Sequence, residues 1–312
     1  MNNFDPKHWA VILGGSGGFG LATAEKLAKH GMNLCIVHRD RRGAMSKITP
    51  RFDALKKYGI GVMTFNLDAL EDDGRHEVIH DLEKKLSETG GRVRLLLHSI
   101  AFGNLKPLTR YKESISHSTA IRAVASECRI PDERLHQAVK QAFENGAAAL
   151  HPVSDPPEYG DTLIEKEDFT HTIHAMGSSI VEWVQEIFQS GLFADDARVL
   201  SLTSEGNSIA WKGYAAVSAA KAVLESVTRS MAVEFAPYGI RTNVIQAGVT
   251  DTPALRMIPG NNRIKAQAKL RNPFGRLTTP EDVARVICLL CTDEAAWING
   301  TLLCADGGER IG

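Results

Sequence analysis

Uniformly apolar runs alternate with stretches of helical period along the first hundred residues. Trp9 to Leu13 is apolar throughout, and Leu21, Ala24, Leu27 and Ala28 then recur at three- and four-residue spacing up to Gly31. A buried strand followed by an amphipathic helix is the expected outcome, with Gly31 as the helix stop. The runs Asn33 to Val37, Gly61 to Leu67 and Val93 to Leu97 predict three further strands, with a helix over Glu77 to Leu86 before the last of them. Strands buried on both faces and alternating with helices predict an α/β fold, a parallel doubly wound sheet with right-handed crossovers.

Residues 104 to 166 break this rhythm. Ser114 to Glu127 and Pro131 to Glu144 carry helical patterns, and the proline-rich stretch from His151 to Pro157 reads as a loop. Ligands of open parallel sheets bind beyond the carboxyl ends of the strands, so an insertion after strand four lies on the ligand side and is a candidate lid. Alternation resumes with a helix from Asp168 to Phe188, a strand from Val199, a break at Ser204-Glu205-Gly206-Asn207 and a helix from Tyr214. A strand within YGIRTNVIQAG, a loop from Val249 to Arg263, the helix-like EDVARVICLLC and a closing TLLCADGG complete a single domain spanning residues 1 to 312, with the helical insertion inside it.

Composition narrows the function. A 43% hydrophobic content supports a sizeable core, and a net charge of −1 gives no field for binding nucleic acid or an anionic membrane, so the partner is expected to be a small molecule. No apolar run approaches the length of a membrane span and the start carries no signal core, which leaves the cytoplasm as the expected location. The five cysteines are scattered, and Cys288 and Cys291 fall in a helical pattern that suits core packing. No metal-ligand set is assigned.

Three segments carry chemistry. Glycines at 14, 18 and 20 stand between a strand and a helix, where backbone can approach a pyrophosphate that meets the helix amides, a Rossmann-type signature. The second strand ends in His38-Arg39-Asp40-Arg41-Arg42, where an adenosine ribose would lie. Guanidinium groups suit a ribose 2′-phosphate, favouring NADP(H), while Asp40 suits a free 2′-hydroxyl, so NAD(H) stays possible. Tyr214 and Lys221 are seven residues apart, about 20° from the same helical face, so a phenol and an ammonium can converge on one ligand. An ammonium beside a phenol is expected to favour its ionised form and to make it a donor to a developing oxyanion.

Together these segments resemble the short-chain dehydrogenase/reductase superfamily outside the insertion. The glycine loop Leu13 to Gly20, the run Tyr238 to Gly248 and the ending at Asp306-Gly307-Gly308 match its motifs in order. The main branch places its tyrosine four residues before the lysine, where this chain has Val217; Tyr-x6-Lys, as in Tyr214 to Lys221, resembles the enoyl-acyl-carrier-protein reductase branch. His98-Ser99-Ile100-Ala101-Phe102 and Ala247-Gly248 match that branch as well, whereas the main branch's helix-four asparagine is replaced by Met176. The resemblance implies that Tyr214 stabilises an enolate, that Lys221 holds the nicotinamide ribose and that Ser204 assists. It also implies a cofactor held by Gly14, Ser16, Gly17, Gly18, Phe19 and Gly20, by His38, Arg39 and Arg42, by Leu67 and Asp68, by Ser99, Ile100 and Ala101, and by Ala247, Gly248, Val249 and Thr250. The implied reaction is NADPH-dependent reduction of the 2,3 double bond of an enoyl thioester, carried by acyl carrier protein or CoA, in a homotetramer. Two other readings stay open: reduction of a carbonyl or another conjugated acceptor, and NADP(H) sensing or scaffolding without turnover.

Overall fold

A computed structural model describes residues 4–110 and 115–312. Seven strands form one sheet: β1 (His8–Leu13), β2 (Asn33–His38), β3 (Val62–Asn66), β4 (Arg92–His98), β5 (Phe193–Thr203), β6 (Ile240–Ala247) and β7 (Leu302–Ala305). Their spatial order is β3-β2-β1-β4-β5-β6-β7, and every pairing is parallel. The order reverses between β1 and β4, which makes the sheet doubly wound and of Rossmann type, as expected, and opens a crevice at their carboxyl ends.

Period-two alternation divides the core. Ala10 and Ile12 of β1 face a cluster with Leu34, Ile36, Leu95, Leu97 and Leu200, covered by α1 (Gly18–Lys29) and α11 (Pro280–Leu290). Trp9, Val11 and Leu13 face the other side, with Val37 and Leu96, under α3 (Asp72–Thr89), α7 (Ser179–Gln189) and α8 (Ala215–Glu234). The four inward positions predicted for α1 are all buried, and Cys288 and Cys291 sit in the core as expected.

Several details differ from the sequence pattern; β5, for one, begins at Phe193 rather than Val199. The glycine loop is shorter, because the helix begins at Gly18 rather than Leu21. The long helix before β5 is not uniform: α6 (Lys166–Ile173) passes through a π-helical turn, His174–Ser178, into α7. The stretch 249–263 is not a plain loop; it holds the short α9 (Pro253–Arg256) and the start of α10 (Asn261–Arg271). The helix α2 (Arg42–Leu55), with Pro50 inside it, has no clear apolar stripe and escapes prediction.

The insertion leaves and re-enters the fold at one place. Asn104 N donates to Thr172 Oγ1 at 3.0 Å, Lys106 Nζ donates to Asp168 Oδ2 at 2.8 Å, and Ile164 N donates to Pro107 O at 3.0 Å. Between these legs lie α4 (Ile115–Cys128), α5 (Asp132–Glu144) and a 3-10 turn, Ala148–Val153, that occupies part of the proline-rich stretch. The expected start of α4 at Ser114 lies outside the described residues.

Candidate active site

The break after β5 and the start of α8 bring Tyr214, Lys221 and Ser204 to the carboxyl end of the sheet. Tyr214 is the N-cap residue of α8, with no side-chain cap of its own, and is buried. Its ring packs edge-on against Trp211 at 5.2 Å between centroids, within an apolar group that includes Met176, Val217, Leu105 and Ile258. Gly206 comes so close that a Cβ there would lie 2.5 Å from Tyr214 Cε1, so any side chain at 206 would displace the ring. Ser218 Oγ donates to Gly206 O and fixes this turn to the helix.

The electrostatics correct one expectation. Burial pushes the Tyr214 phenol above its ordinary pKa, opposed only by contact with Ser204, and the Lys221 ammonium does not pull it down. Ser204 Oγ is buried and has no well-formed hydrogen-bond partner. The phenol is therefore protonated and able to donate at neutral pH. Lys221 Nζ donates to Leu202 O at 2.7 Å, and burial lowers its pKa to about 8, with Glu225 opposing the shift. His98, buried at the end of β4, is held neutral with a pKa of about 3, chiefly by burial and then by the charge of Lys221; its Nε2 lies 3.0 Å from Ser179 Oγ.

The β1–α1 turn fits a dinucleotide pyrophosphate. Gly14 has φ +84, and a Cβ on it would lie 2.5 Å from Ser99 O, so glycine lets the β4 loop close onto this turn. A Cβ on Gly17 would meet nothing within 4 Å, and α1 starts there without a side-chain cap, leaving its first amides for an anion. Ser16, Gly18 and Phe19 line the turn half-buried, with the Phe19 ring against the core, while Gly20 presses on Gly14 O.

At the adenosine end the picture is mixed. His38 does not offer its side chain: it is buried against Phe52 and its Nδ1 lies 2.9 Å from Asp40 Oδ2. The same contact engages one oxygen of Asp40 and leaves the other able to accept a ribose hydroxyl. Arg39 is exposed, ion-paired with Asp68 and stacked on Phe102 at 4.4 Å from the ring centroid; Arg41 and Arg42 are exposed beside it. Leu67 N donates to His38 O at 2.9 Å, which sets Asp68 opposite Arg39. Ser99, Ile100 and Ala101 follow β4, and Ser99 N donates to Leu13 O at 2.9 Å. Ala247 closes β6; beyond it, Gly248 packs against Thr278, Val249 N donates to Glu309 Oε2 at 3.1 Å, and buried Thr250 bonds back to Gly248 O at 3.0 Å. Every proposed segment thus reaches the same edge of the sheet.

The sequence does not reveal Trp211, Glu309 or Tyr159 as neighbours of this site. Tyr159 of the insertion comes within 3.0 Å of the position a Cβ would take at Gly213, beside Tyr214. A cleft of about 350 Å³ opens there, walled by Trp211, Gly213 and Ala215 on one side and by Pro107, Leu108 and Tyr159 on the other. These contacts join distant parts of the chain, and no local pattern signals them.

Residues 132–309 match the family model described as enoyl-(acyl carrier protein) reductase, and residues 9–120 match that of the KR domain. The chain belongs to the short-chain dehydrogenase/reductase family. That family is one of NAD(P)H-dependent oxidoreductases. The probable 2,4-dienoyl-CoA reductase of Bacillus subtilis is 26% identical over 310 residues, covering 98% of this chain and 97% of that one. The cis-4-hydroxycyclohexanecarboxylate dehydrogenase of Sinomonas cyclohexanicum is 37% identical over 119 residues, 38% of this chain and 45% of its own. With it and other relatives of comparable similarity, the match spans only about half of the relative's length. Among solved structures, the enoyl-[acyl-carrier-protein] reductase (NADH) of Aquifex aeolicus superposes with a TM-score of 0.67 at 24% identity, covering 98% of this chain and 97% of that one, which shows the shared fold. Among the described residues no helix is long and apolar enough to cross a membrane.

Proposed function

We propose that the protein reduces the 2,3 double bond of an enoyl thioester with NADPH. The observation that carries this reading is the placement of the acid: the phenol stands seven residues before a buried lysine, at the N-cap of α8, while the position four residues before that lysine holds Val217, buried among apolar side chains. A main-branch reductase needs a hydroxyl at that second position. NADPH, when bound, supplies the hydride that is delivered to the β carbon.

The chain's own residues account for the rest. Tyr214, protonated through burial, donates to the thioester oxygen and stabilises the negative charge that gathers there as the double bond is lost. Ser204 Oγ, buried and unsatisfied beside the phenol, orients that proton. Lys221 holds the nicotinamide ribose from the floor of the site, tied in place by Leu202 O. Met176, Trp211 and Ile258 keep water from the enolate, and the cleft beside Tyr214 takes the acyl chain. Arg39, Arg41 and Arg42, with one oxygen of Asp40 engaged by His38, favour the 2′-phosphate. The same reading implies a CoA or acyl-carrier-protein thioester and a homotetramer in the cytoplasm.

Tyr214→Phe tests the reading, since it keeps the ring against Trp211 and removes only the hydroxyl. Turnover of an enoyl thioester is expected to fall roughly 100-fold or more, with NADPH affinity retained. Undiminished turnover would overturn the assignment.

A further inference from the structure

The carboxyl end of α10 carries a side chain, Arg271, that reaches both the turn after β5 and the carboxyl-terminal segment beyond β7. Arg271 Nη2 donates to Glu205 Oε1 and Oε2 at 2.7 and 2.9 Å and lies 3.3 Å from Glu309 Oε1. Glu205 follows Ser204 and precedes Gly206, the residue pressed against the Tyr214 ring. Glu309 accepts the Val249 amide at 3.1 Å, and its Oε2 stands 2.9 Å from the position a Cβ would take at Gly248. Both carboxylates are nearly inaccessible, at 8% and 2% exposure. Two buried carboxylates on one guanidinium are a costly way to stabilise a fold, because desolvation offsets most of the Coulomb gain. Burial and the nearby Glu205 charge also push the Glu309 carboxyl above its ordinary range, opposed by the Val249 amide and Arg271.

We propose that Arg271 is a positioning residue: through Glu309 it sets the Val249 amide that meets the nicotinamide end of the cofactor, and through Glu205 it locks that loop in register with the turn carrying Ser204. The inference rests on the proposed function, in which Lys221 holds the nicotinamide ribose: Glu205 follows Ser204 at that end of the site, so the loop after β6, tied through Glu309 to the same arginine, is assigned to the nicotinamide end. Arg271 sits where α10 ends, and Asn272 Nδ2 donates to Asp306 O at 2.9 Å next to it, so the end of α10 and the carboxyl-terminal segment are seated together by adjacent contacts. All three contacts are made by Nη2, so the guanidinium acts as one positive group shared between two carboxylates, a role that a lysine ammonium can fill in part.

The test compares two ligands in the absence of any acceptor, so it does not depend on which substrate is reduced. Dissociation constants are measured for NADPH and for 2′-phospho-ADP-ribose, which lacks the nicotinamide, with wild type, Arg271→Gln, Arg271→Lys and Glu205→Gln. Arg271→Gln is expected to weaken NADPH roughly tenfold, the scale of one lost charge-assisted hydrogen bond, and to leave 2′-phospho-ADP-ribose within about twofold. Arg271→Lys should recover part of the loss. Glu205→Gln should show the same split, although the bond to Val249 is made by Glu309, and it serves as the second variant if Arg271→Gln does not fold. Equal losses for both ligands, or no loss for either, would overturn the proposal. A wild type that binds NADPH no better than 2′-phospho-ADP-ribose would instead remove the nicotinamide assignment of Val249 on which it rests.

Discussion

Lys221 titrates at about 8, well below the usual lysine range, so the charge it brings to the site depends on pH. Below that value the ammonium is present; as pH rises through it, the free protein loses the proton. Binding that favours the ammonium must then recover a proton, so NADPH affinity is expected to fall by up to roughly tenfold per pH unit above about 8. Titration calorimetry across that range checks this: affinity that is flat or rises would contradict it, and Lys221→Ala should remove the dependence. Arg39 gives a second prediction, since it must exchange Asp68 for the 2′-phosphate. Arg39→Ala should weaken NADPH while leaving NADH nearly unchanged, as dissociation constants for both will show; equal NADPH and NADH affinities in wild type would sink the preference. The Tyr214 and Lys221 spacing was legible in the sequence because Tyr214 caps the helix that carries Lys221. The direction of the phenol's shift was not, because it depends on Trp211, Ser204 and the depth of burial. Asp40 was legible by type as a partner for a ribose hydroxyl, but not its contact with His38 two residues away, which engages one of its two oxygens.

At the scale of elements, the β-strands and α1 follow from apolar runs and their spacing, since strands buried on both faces leave little choice of residue. The helices α2 and α10 did not follow, because neither presents a clear apolar stripe; α10 buries only Ala266 and Ala268. The π-helical turn His174–Ser178 was also hidden, yet it places Met176 in the apolar group around Tyr214. The insertion lends itself to a clean test because Pro107 and Ile164 are hydrogen-bonded, so a short linker can replace what lies between them. Its Tyr159 reaches Gly213 beside the phenol, and Pro157 packs on Gly260, the N-cap of α10. Replacing residues 108–163 with a glycine–serine linker is expected to raise KM for long-chain substrates several-fold, with NADPH affinity held, because the glycine turn and Arg39 lie elsewhere on the sheet edge. Unchanged KM across chain lengths in a folded variant would make the insertion mere decoration.

Across the whole molecule, the two ends of the sheet are built differently. At the amino ends, Asp196 gathers Arg94, Arg198 and Arg241, and these arginines also bind carbonyls at the end of α11 and beyond it, Leu290 O, Cys291 O and Ala296 O among them. That edge is fixed by charge-assisted bonds between distant strands. At the carboxyl ends, loops from β1, β2, β4, β5 and β6 converge on the crevice where the sheet order reverses. The family resemblance carried the sequence reading this far, since its motifs mark those loops, while the bonds that join them, such as Glu309 to Val249, link residues 60 apart and leave no trace in either segment. The chemistry itself is decided by where the hydride goes. Incubating the protein with a crotonyl thioester and NADPH deuterated at the transferable C4 position should place deuterium on the β carbon of a butyryl product, with an acetoacetyl thioester left unreduced. Deuterium on the former carbonyl carbon of a hydroxybutyryl product, with the crotonyl thioester untouched, would contradict the account.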